Sequence, residues 1–236
     1  MDRENSFFQT IDCLEQTLLI FAKSMATTLS EMKIFQIGFS KCGTCSLFHF
    51  FKKNGISSVH WKTEKNENLA IRALENRESD KKFFNGLDYV FYSDMVYMDE
   101  KGVIFLYERF EEIYADYPDS KFIFNTRNMD DWIRSEWKHC GVEDGVPWRN
   151  IDRLQKILKL DEPLTLRFLR QHYLNHTANV RKFFKDKTDQ LLIFKLGENT
   201  GEDIANFVTE YDFEDKEFPH ANRTDQFFIL EKPEGK

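Results

Sequence analysis

The stretch Lys33–Gly55 reads KIFQIGFSKCGTCSLFHFFKKNG, and it decides how the rest of the chain is interpreted. Its first five residues, KIFQI (33–37), form a short apolar run rich in strand-forming residues. A turn containing glycine follows, and residues 44–55 have the pattern of a helix that a glycine ends. Such a strand–loop–helix junction is a typical phosphate site, because backbone N–H groups and the helix dipole point into the loop. We therefore predict an anion-binding loop over residues 38–46.

Other interpretations of this loop remain open from its residues alone. Cys42 and Cys45 have the C-x-x-C spacing of a thioredoxin-like redox pair. That fold normally places a cis-proline opposite the thiols, whereas the nearest downstream proline, Pro118, stands where a helix ends. Gly38 and Gly43 have the spacing of the two glycines in an ATP-binding P-loop. However, Thr44 and Cys45 stand where a P-loop has its lysine and the hydroxyl residue that holds magnesium. The lysine of this chain, Lys41, lies inside the loop instead. A magnesium-dependent nucleotidase is thus disfavoured, and a glycine turn with only a structural role is the remaining alternative.

Strand-like and helix-like segments alternate along the rest of the chain. Strands are predicted over residues 33–37, 56–61, 87–92, 121–126 and 191–196. Helices are predicted over residues 44–55, 66–79, 104–118, 128–135, 163–185 and 201–211, and loops over 62–68, 94–103 and 139–150. The alternation indicates an α/β fold with a P-loop-type parallel sheet of about five strands and helices on both faces. Ligands of such sheets bind at the carboxyl ends of the strands.

The chain length of 236 residues suits one such domain, which we place at residues 33–224. Residues 1–32 have the apolar spacing of an amphipathic helix, which we expect to pack on the domain, and residues 225–236 are assigned as a tail. Acidic residues precede the short apolar run of this first segment, so we expect neither an export signal nor a membrane span. Four cysteines in a chain of this length do not indicate a disulfide framework, and we expect a cytoplasmic protein.

The charge and the histidines exclude two further classes of site. A formal net charge of -7 disfavours a broad nucleic-acid surface, so an anionic ligand must be met by a few local lysines or arginines. His172 and His176 have the i, i+4 spacing of metal ligands on a helix, but no cluster of Glu or Cys accompanies them. We expect no metal site, and we expect a small-molecule partner rather than a nucleic acid or a membrane.

A second motif follows the fourth predicted strand, in TRNMDDWIRS. Arg127 stands at the end of the strand, and Ser135 follows eight residues later, about two helical turns further on. The planar guanidinium suits phosphate oxygens, and the serine adds one hydroxyl donor. The two residues together predict a second phosphate site, distinct from the first loop. The alternative is an arginine that ends a strand and a serine on a solvated helix face.

These two motifs together resemble those of the soluble sulfotransferases that use 3′-phosphoadenosine 5′-phosphosulfate. Their 5′-phosphosulfate loop has a Lys-x-Gly-Thr-[Thr/Ser] pattern, and this chain has Lys41-Cys-Gly-Thr-Cys45. Their 3′-phosphate motif has an arginine followed by a serine eight residues later, as at Arg127 and Ser135. The resemblance covers roughly residues 31–224, including the FPHAN segment near its end.

The resemblance implies roles for particular residues. It assigns the 5′-phosphosulfate to Lys41, Cys42, Gly43, Thr44, Cys45 and Ser46, and the 3′-phosphate to Arg127 and Ser135, with Arg223 as a further contact. The family usually has a hydroxyl residue where this chain has Cys45, and a thiol is a weaker hydrogen-bond donor. Cys42 stands where the family varies, so the C-x-x-C pair is interpreted as a coincidence of two tolerated cysteines.

For the reaction itself, the resemblance implies sulfuryl transfer to a hydroxyl or an amine of a small acceptor. Lys41 is expected to stabilise the leaving bridge oxygen, and no metal is expected to be required. His60, just after the second predicted strand, is the first candidate for the general base, because its ordinary pKa is near neutrality. Glu64 and Asp94 are the rival bases. A non-catalytic nucleotide-binding or interaction protein is the main alternative function, and a thiol oxidoreductase or a small-molecule kinase is less favoured.

Overall fold

The computed structural model describes residues 32–100, 102–143 and 146–220. The predicted amphipathic helix over 1–32 (apart from Met32), the predicted tail over 225–236 and the candidate contact Arg223 lie outside these residues. Within the described ranges, no helix is both long enough and apolar enough to cross a membrane.

Five parallel strands form the central sheet, as the alternation of the sequence predicted. The strands of the described chain are β1 (Ile34–Gln36), β2 (Ser58–His60), β3 (Phe91–Ser93), β4 (Val96–Asp99), β5 (Gly102–Phe105), β6 (Lys121–Thr126), β7 (Cys140–Glu143), β8 (Val146–Arg149) and β9 (Leu191–Lys195). The sheet has the order β2-β3-β1-β6-β9, while β4–β5 and β7–β8 are separate antiparallel hairpins. Strand β3 pairs in parallel with both β1 and β2, and therefore lies between them.

Helices follow most strands of the sheet. Those of the described chain are α1 (Thr44–Lys53), α2 (Leu69–Glu78), α3 (Phe110–Asp116), α4 (Met129–Lys138), α5 (Asn150–Leu158), α6 (Glu162–Phe183) and α7 (Gly201–Phe207). Polar side chains begin several of them: Asn68, Asn128 and Asp161 each accept a hydrogen bond from backbone N–H groups of the first turn. Helix α6 also has a proline in its first turn, where the missing N–H costs nothing.

Two apolar layers cover the two faces of the sheet, because successive strand residues point to opposite sides. Ile34 and Phe91 pack with α1 and α7 in one buried cluster. Their neighbours Phe35 and Tyr92 face the other cluster, which contains residues of α2, α3, α4, α5 and α6. Each fully buried aromatic side chain contributes about 1.5–3 kcal/mol of transfer free energy, so both layers hold the strand ends rigidly in place.

Two predicted loops are hairpins in the structure. The predicted loop 94–103 contains β4 and the start of β5, and the predicted loop 140–150 is mostly β7 and β8. The Asp–Gly dipeptide at 144–145 is a known hairpin signal, which the sequence interpretation did not use. The predicted helix from residue 104 begins only at Phe110, after a 3-10 turn, because strand pairing with β4 draws its first residues into β5. Helix α5 was not predicted.

Candidate active site

A cleft of about 1560 Å³ opens at the carboxyl end of the parallel sheet. Nine of the predicted site residues line it: Lys41, Gly43, Thr44, Cys45, Ser46, His60, Asp94, Arg127 and Ser135. Cys42 is not part of this lining. The rival base Glu64 is exposed and also lies outside the lining. The fold thus joins the ends of β1, β2, β3 and β6 around one space.

The first loop rests on a buried pair of amide side chains, Gln36 and Asn125. The Asn125 Nδ2 donates to the carbonyl oxygens of Phe39 and Cys42, at 3.0 Å each. The Gln36 Nε2 donates to the Gly38 carbonyl at 2.7 Å and to the Asn125 Oδ1 at 2.5 Å. Every amide donor of the pair is thereby used, which holds the loop between β1 and β6 in one shape.

The same pair extends to the end of β3 and explains one glycine. The Gln36 Oε1 accepts the backbone N–H of Asp94 at 2.8 Å. A Cβ on Gly38 would lie only 2.0 Å from the Asn125 carbonyl oxygen, so no other residue fits there. The first loop and Asp94 are therefore held by one buried hydrogen-bond network.

The loop ends in a left-handed turn that presents the start of α1 to the cleft. Lys41 has φ 61° and Gly43 has φ 85°. Gly43 is the N-cap residue of α1, and no side chain caps this helix end within the described residues. The first intrahelical hydrogen bond runs from the Leu47 N–H to the Gly43 carbonyl, at 2.9 Å. The preceding N–H groups and the positive end of the helix dipole are suited to an anion in the cleft.

The two cysteines of the loop occupy different environments. Cys42 is fully buried in the apolar core, and this burial raises the pKa of its thiol far above its ordinary value. Cys45 is half-buried and lines the cleft, and both cysteines are free thiols. A redox pair needs an accessible thiolate, so the burial of Cys42 argues against a thioredoxin-like role.

The Lys41 ammonium is held by a neutral histidine at the end of α4. Its Nζ lies 3.1 Å from the His139 Nδ1. Burial and the neighbouring lysine lower the pKa of His139 to about 4, so the ring is neutral at neutral pH. Its Nδ1 accepts a hydrogen bond from the lysine ammonium. His139 was not predicted from the sequence, since it lies 98 residues from its partner.

Arg127 and Ser135 line the same cleft as the first loop. The Arg127 Nη1 donates to the Lys41 carbonyl, at a long 3.4 Å. The Arg127 carbonyl accepts from the Tyr173 hydroxyl at 2.6 Å, which holds the backbone of the arginine against α6. Ser135 reaches the cleft from α4, whose N-cap Asn128 fixes where the helix begins. The side chains of both predicted motif residues thus face one space.

The hydrogen bonds around His60 indicate which of its ring nitrogens carries a proton. The Ser93 hydroxyl has one hydrogen and lies 3.1 Å from the Val59 carbonyl, which can only accept. The His60 Nδ1 lies 3.1 Å from the same serine oxygen, so we assign the ring proton to Nδ1, as the donor to Ser93. Burial lowers the pKa of His60, although the Asp94 carboxylate opposes this in part. In the neutral ring of this tautomer, the Nε2 is an unprotonated base in the cleft.

Asp94 lies beside that nitrogen. The Asp94 Oδ2 is 3.7 Å from the His60 Nε2, and the Oδ1 accepts from the Ser40 hydroxyl at 2.8 Å. Asp94 has φ 53°, and Trp61, next to His60, has φ 61°. Together with Lys41, these residues put a left-handed backbone conformation after each of β1, β2 and β3. Such strain concentrates at functional sites.

A comparison with protein-family models identifies the domain. The model of the sulfotransferase domain family matches residues 33–227. The chain belongs to this sulfotransferase family. A search of curated proteins finds no match for the chain. The match to the family model shows that the chain belongs to the family, and the five-stranded parallel sheet shows its fold.

The histidine pair of α6 has structural partners in the sulfotransferase domain. The His172 Nε2 lies 2.8 Å from the Tyr107 hydroxyl, and its Nδ1 lies 3.2 Å from the Glu108 carboxylate. The buried His176 Nε2 contacts the Ile37 carbonyl at 2.7 Å. Among the described residues, no group of three or more potential ligands is arranged for a metal ion.

Glu136 is a cleft residue of the sulfotransferase domain that the sequence interpretation missed. It is almost fully buried, and its Oε2 accepts from the Asn150 amide at 2.9 Å. Burial raises the pKa of Glu136 to about 7, although the amide and the Lys41 charge oppose the shift. Its helical position, one residue after Ser135, is the only signal that the sequence offered.

Proposed function

We propose that this sulfotransferase domain transfers a sulfuryl group from 3′-phosphoadenosine 5′-phosphosulfate to a hydroxyl or an amine of a small acceptor. One observation carries the proposal: the loop lysine, the second-motif arginine and a histidine with an unprotonated nitrogen line a single cleft. The proposed reaction uses no metal, on the ground that Cys45 stands where a P-loop has its magnesium-holding hydroxyl.

The two phosphate groups of the donor are assigned to the two motifs. The N–H groups at the start of α1, from Gly43 to Ser46, together with Lys41, suit the 5′-phosphosulfate. Arg127 and Ser135 suit the 3′-phosphate, where a guanidinium makes charge-assisted hydrogen bonds. Cys42 supports this arrangement only through the shape of the loop, because its side chain is buried away from the cleft.

The donor supplies the sulfuryl group, and the chain supplies charge and a base. As the bond between sulfur and the bridging phosphate oxygen breaks, that oxygen takes the electron pair, and the Lys41 ammonium is placed to neutralise the charge. The His60 Nε2 accepts the proton of the acceptor while the new bond to sulfur forms. Asp94, 3.7 Å away, stabilises the resulting imidazolium.

The proposal is tested by the melting temperature of the protein with nucleotides. We expect 3′,5′-adenosine bisphosphate to raise the melting temperature. At a hundredfold excess over its dissociation constant, a ligand that binds only the folded state adds about 2.7 kcal/mol to the unfolding free energy. ATP with magnesium should have little effect, and magnesium should add nothing to the bisphosphate. A melting temperature that the bisphosphate leaves unchanged and that ATP with magnesium raises would overturn the assignment of both motifs.

A second candidate function is a nucleotide-binding protein without turnover, and Cys45 is the observation that favours it. Its thiol lines the cleft at the position where the resembled sulfotransferases usually have a hydroxyl, which is a better hydrogen-bond donor. His60→Ala separates the two functions. In an enzyme this variant should lower turnover by about 10²–10⁴-fold while keeping the nucleotide-induced melting shift. In a binding protein, neither the wild type nor the variant consumes the donor.

We also propose a cytoplasmic location, which suits the free cysteines among the described residues.

A further inference from the structure

The space between His60 and Asp94 has an unusual property: hydrogen-bond acceptors face it from both sides. The His60 Nε2 is unprotonated because Nδ1 donates to Ser93, whose own hydrogen goes to Val59. The Asp94 Oδ2 lies 3.7 Å from that nitrogen, too far for a direct hydrogen bond. A group with at least two hydrogen-bond donors, bound in the cleft beside these two acceptors, pairs with both.

Two polar neighbours of the pair are engaged with other atoms, and the ring itself is held in place. The Ser40 hydroxyl donates to the Asp94 Oδ1, the oxygen of the carboxylate that does not face the imidazole nitrogen. The Lys41 ammonium is directed to the His139 Nδ1. The His60 ring itself is fixed from behind by Ser93 and stacks on Phe48, with ring centroids 5.6 Å apart. The ring therefore keeps its Nε2 toward the carboxylate.

We propose that the acceptor group of this enzyme is a primary amine, bound as an ammonium in the cleft beside the His60 Nε2 and the Asp94 Oδ2. The inference rests on the proposed sulfotransferase function and narrows its acceptor class. An ammonium has three N–H donors, so it donates to the imidazole nitrogen and the carboxylate at once, and its charge matches the carboxylate. A hydroxyl has one hydrogen and donates to only one of the two acceptors.

The proton balance of amine sulfation also matches two adjacent bases. An ammonium must lose one proton to become a nucleophile, and the His60 Nε2 accepts it. The amine nitrogen then forms a bond to sulfur, while the bond from sulfur to the 5′-phosphate oxygen breaks and leaves its electron pair on that oxygen. The sulfated nitrogen must lose a second proton, which the Asp94 carboxylate accepts, to yield a sulfamate. Sulfation of a hydroxyl releases only one proton and needs only one base.

The test uses probes that carry both groups in one molecule. The full-length protein is incubated with the phosphosulfate donor and with tyramine, ethanolamine or glucosamine, and products are identified by mass spectrometry and by nitrogen-15 NMR. We expect the sulfated product to be a sulfamate, with sulfur on nitrogen. Asp94→Asn should lower kcat/KM for the amine at least about tenfold, as expected for the loss of one charged contact, while nucleotide affinity changes less than twofold. Glu64→Gln is the matched control, because this carboxylate is exposed and outside the cleft.

Two results would overturn the inference. One is sulfation of the hydroxyl oxygen in these probes. The other is a protein that binds 3′,5′-adenosine bisphosphate but forms no sulfamate from any of them. In both cases the nucleotide-induced melting shift separates this failure from a failure of the proposed function, because the shift does not depend on the acceptor.

Discussion

The buried amide of Asn125 is predicted to control nucleotide binding without contacting the nucleotide. Its Nδ2 donates to the carbonyls of Phe39 and Cys42 in the phosphate loop, at 3.0 Å each. Asn125→Leu keeps the branched shape and removes both donors, together with the Oδ1 that accepts from the Gln36 Nε2. Each of the three lost hydrogen bonds costs about 1–1.5 kcal/mol net, so we expect a loss of roughly 3–4.5 kcal/mol in unfolding free energy. For a chain of this size that lowers the melting temperature by about 6–18 °C.

The chain offers a matched control for this variant. The buried Asn76 makes the same two kinds of hydrogen bond, from its Nδ2 to the Phe83 carbonyl at 2.9 Å and to the Asn85 carbonyl at 3.0 Å, and it does not line the cleft. Asn76→Leu removes two such hydrogen bonds and should therefore lose roughly 2–3 kcal/mol in unfolding free energy. Denaturant unfolding of both variants measures this loss, and titration calorimetry with 3′,5′-adenosine bisphosphate measures the affinity.

Both variants lose stability, but only one of them should lose affinity. We expect Asn125→Leu to weaken nucleotide binding about tenfold or more, equivalent to about 1.4 kcal/mol, because the loop N–H groups lose their fixed directions. Asn76→Leu should bind like the wild type. Equal affinities in the two variants would show that the amide pair under the loop does not shape the anion site.

Three further predictions follow from the site. Arg127→Ala should lose the preference for a 3′-phosphorylated nucleotide over its 3′-hydroxyl analogue, by about 1.5–3 kcal/mol in calorimetry, and retained discrimination would place the 3′-phosphate elsewhere. Cys45→Thr restores a hydroxyl in the first turn of α1 and should bind nucleotide at least as tightly as the wild type, whereas weaker binding would count against an anion at this turn. Burial raises the pKa of Glu136 from an ordinary 4.5 to about 7, so the wild type loses stability as pH rises through this range. Glu136→Gln should remove this dependence. Between pH 5 and pH 8, the unfolding free energy of the variant should therefore gain about 3 kcal/mol relative to that of the wild type. Parallel pH profiles of the two proteins in denaturant unfolding would refute the prediction.

Local patterns were sufficient for the sheet and for the first loop. Apolar strand-like runs bounded by turn residues placed all five parallel strands, because strand burial leaves a direct trace in the sequence. The glycines and Lys41 marked the loop, since a left-handed turn and a short distance to the next strand restrict residue choice. The start of α3 was misplaced because pairing between β4 and β5 outweighs the helical spacing of the aromatic residues.

The sequence by itself determined the fold class, the position of the glycine-containing loop and the set of side chains that end the strands. Only the tertiary structure decided how they act together. The strand order places β3 between β1 and β2, and so brings Asp94 beside His60. Burial sets the raised pKa of Glu136 and the lowered pKa of His139, and the Ser93 contact sets the tautomer of His60. These properties depend on distance and solvent exclusion between residues far apart in the chain, and neither leaves a local pattern in the sequence.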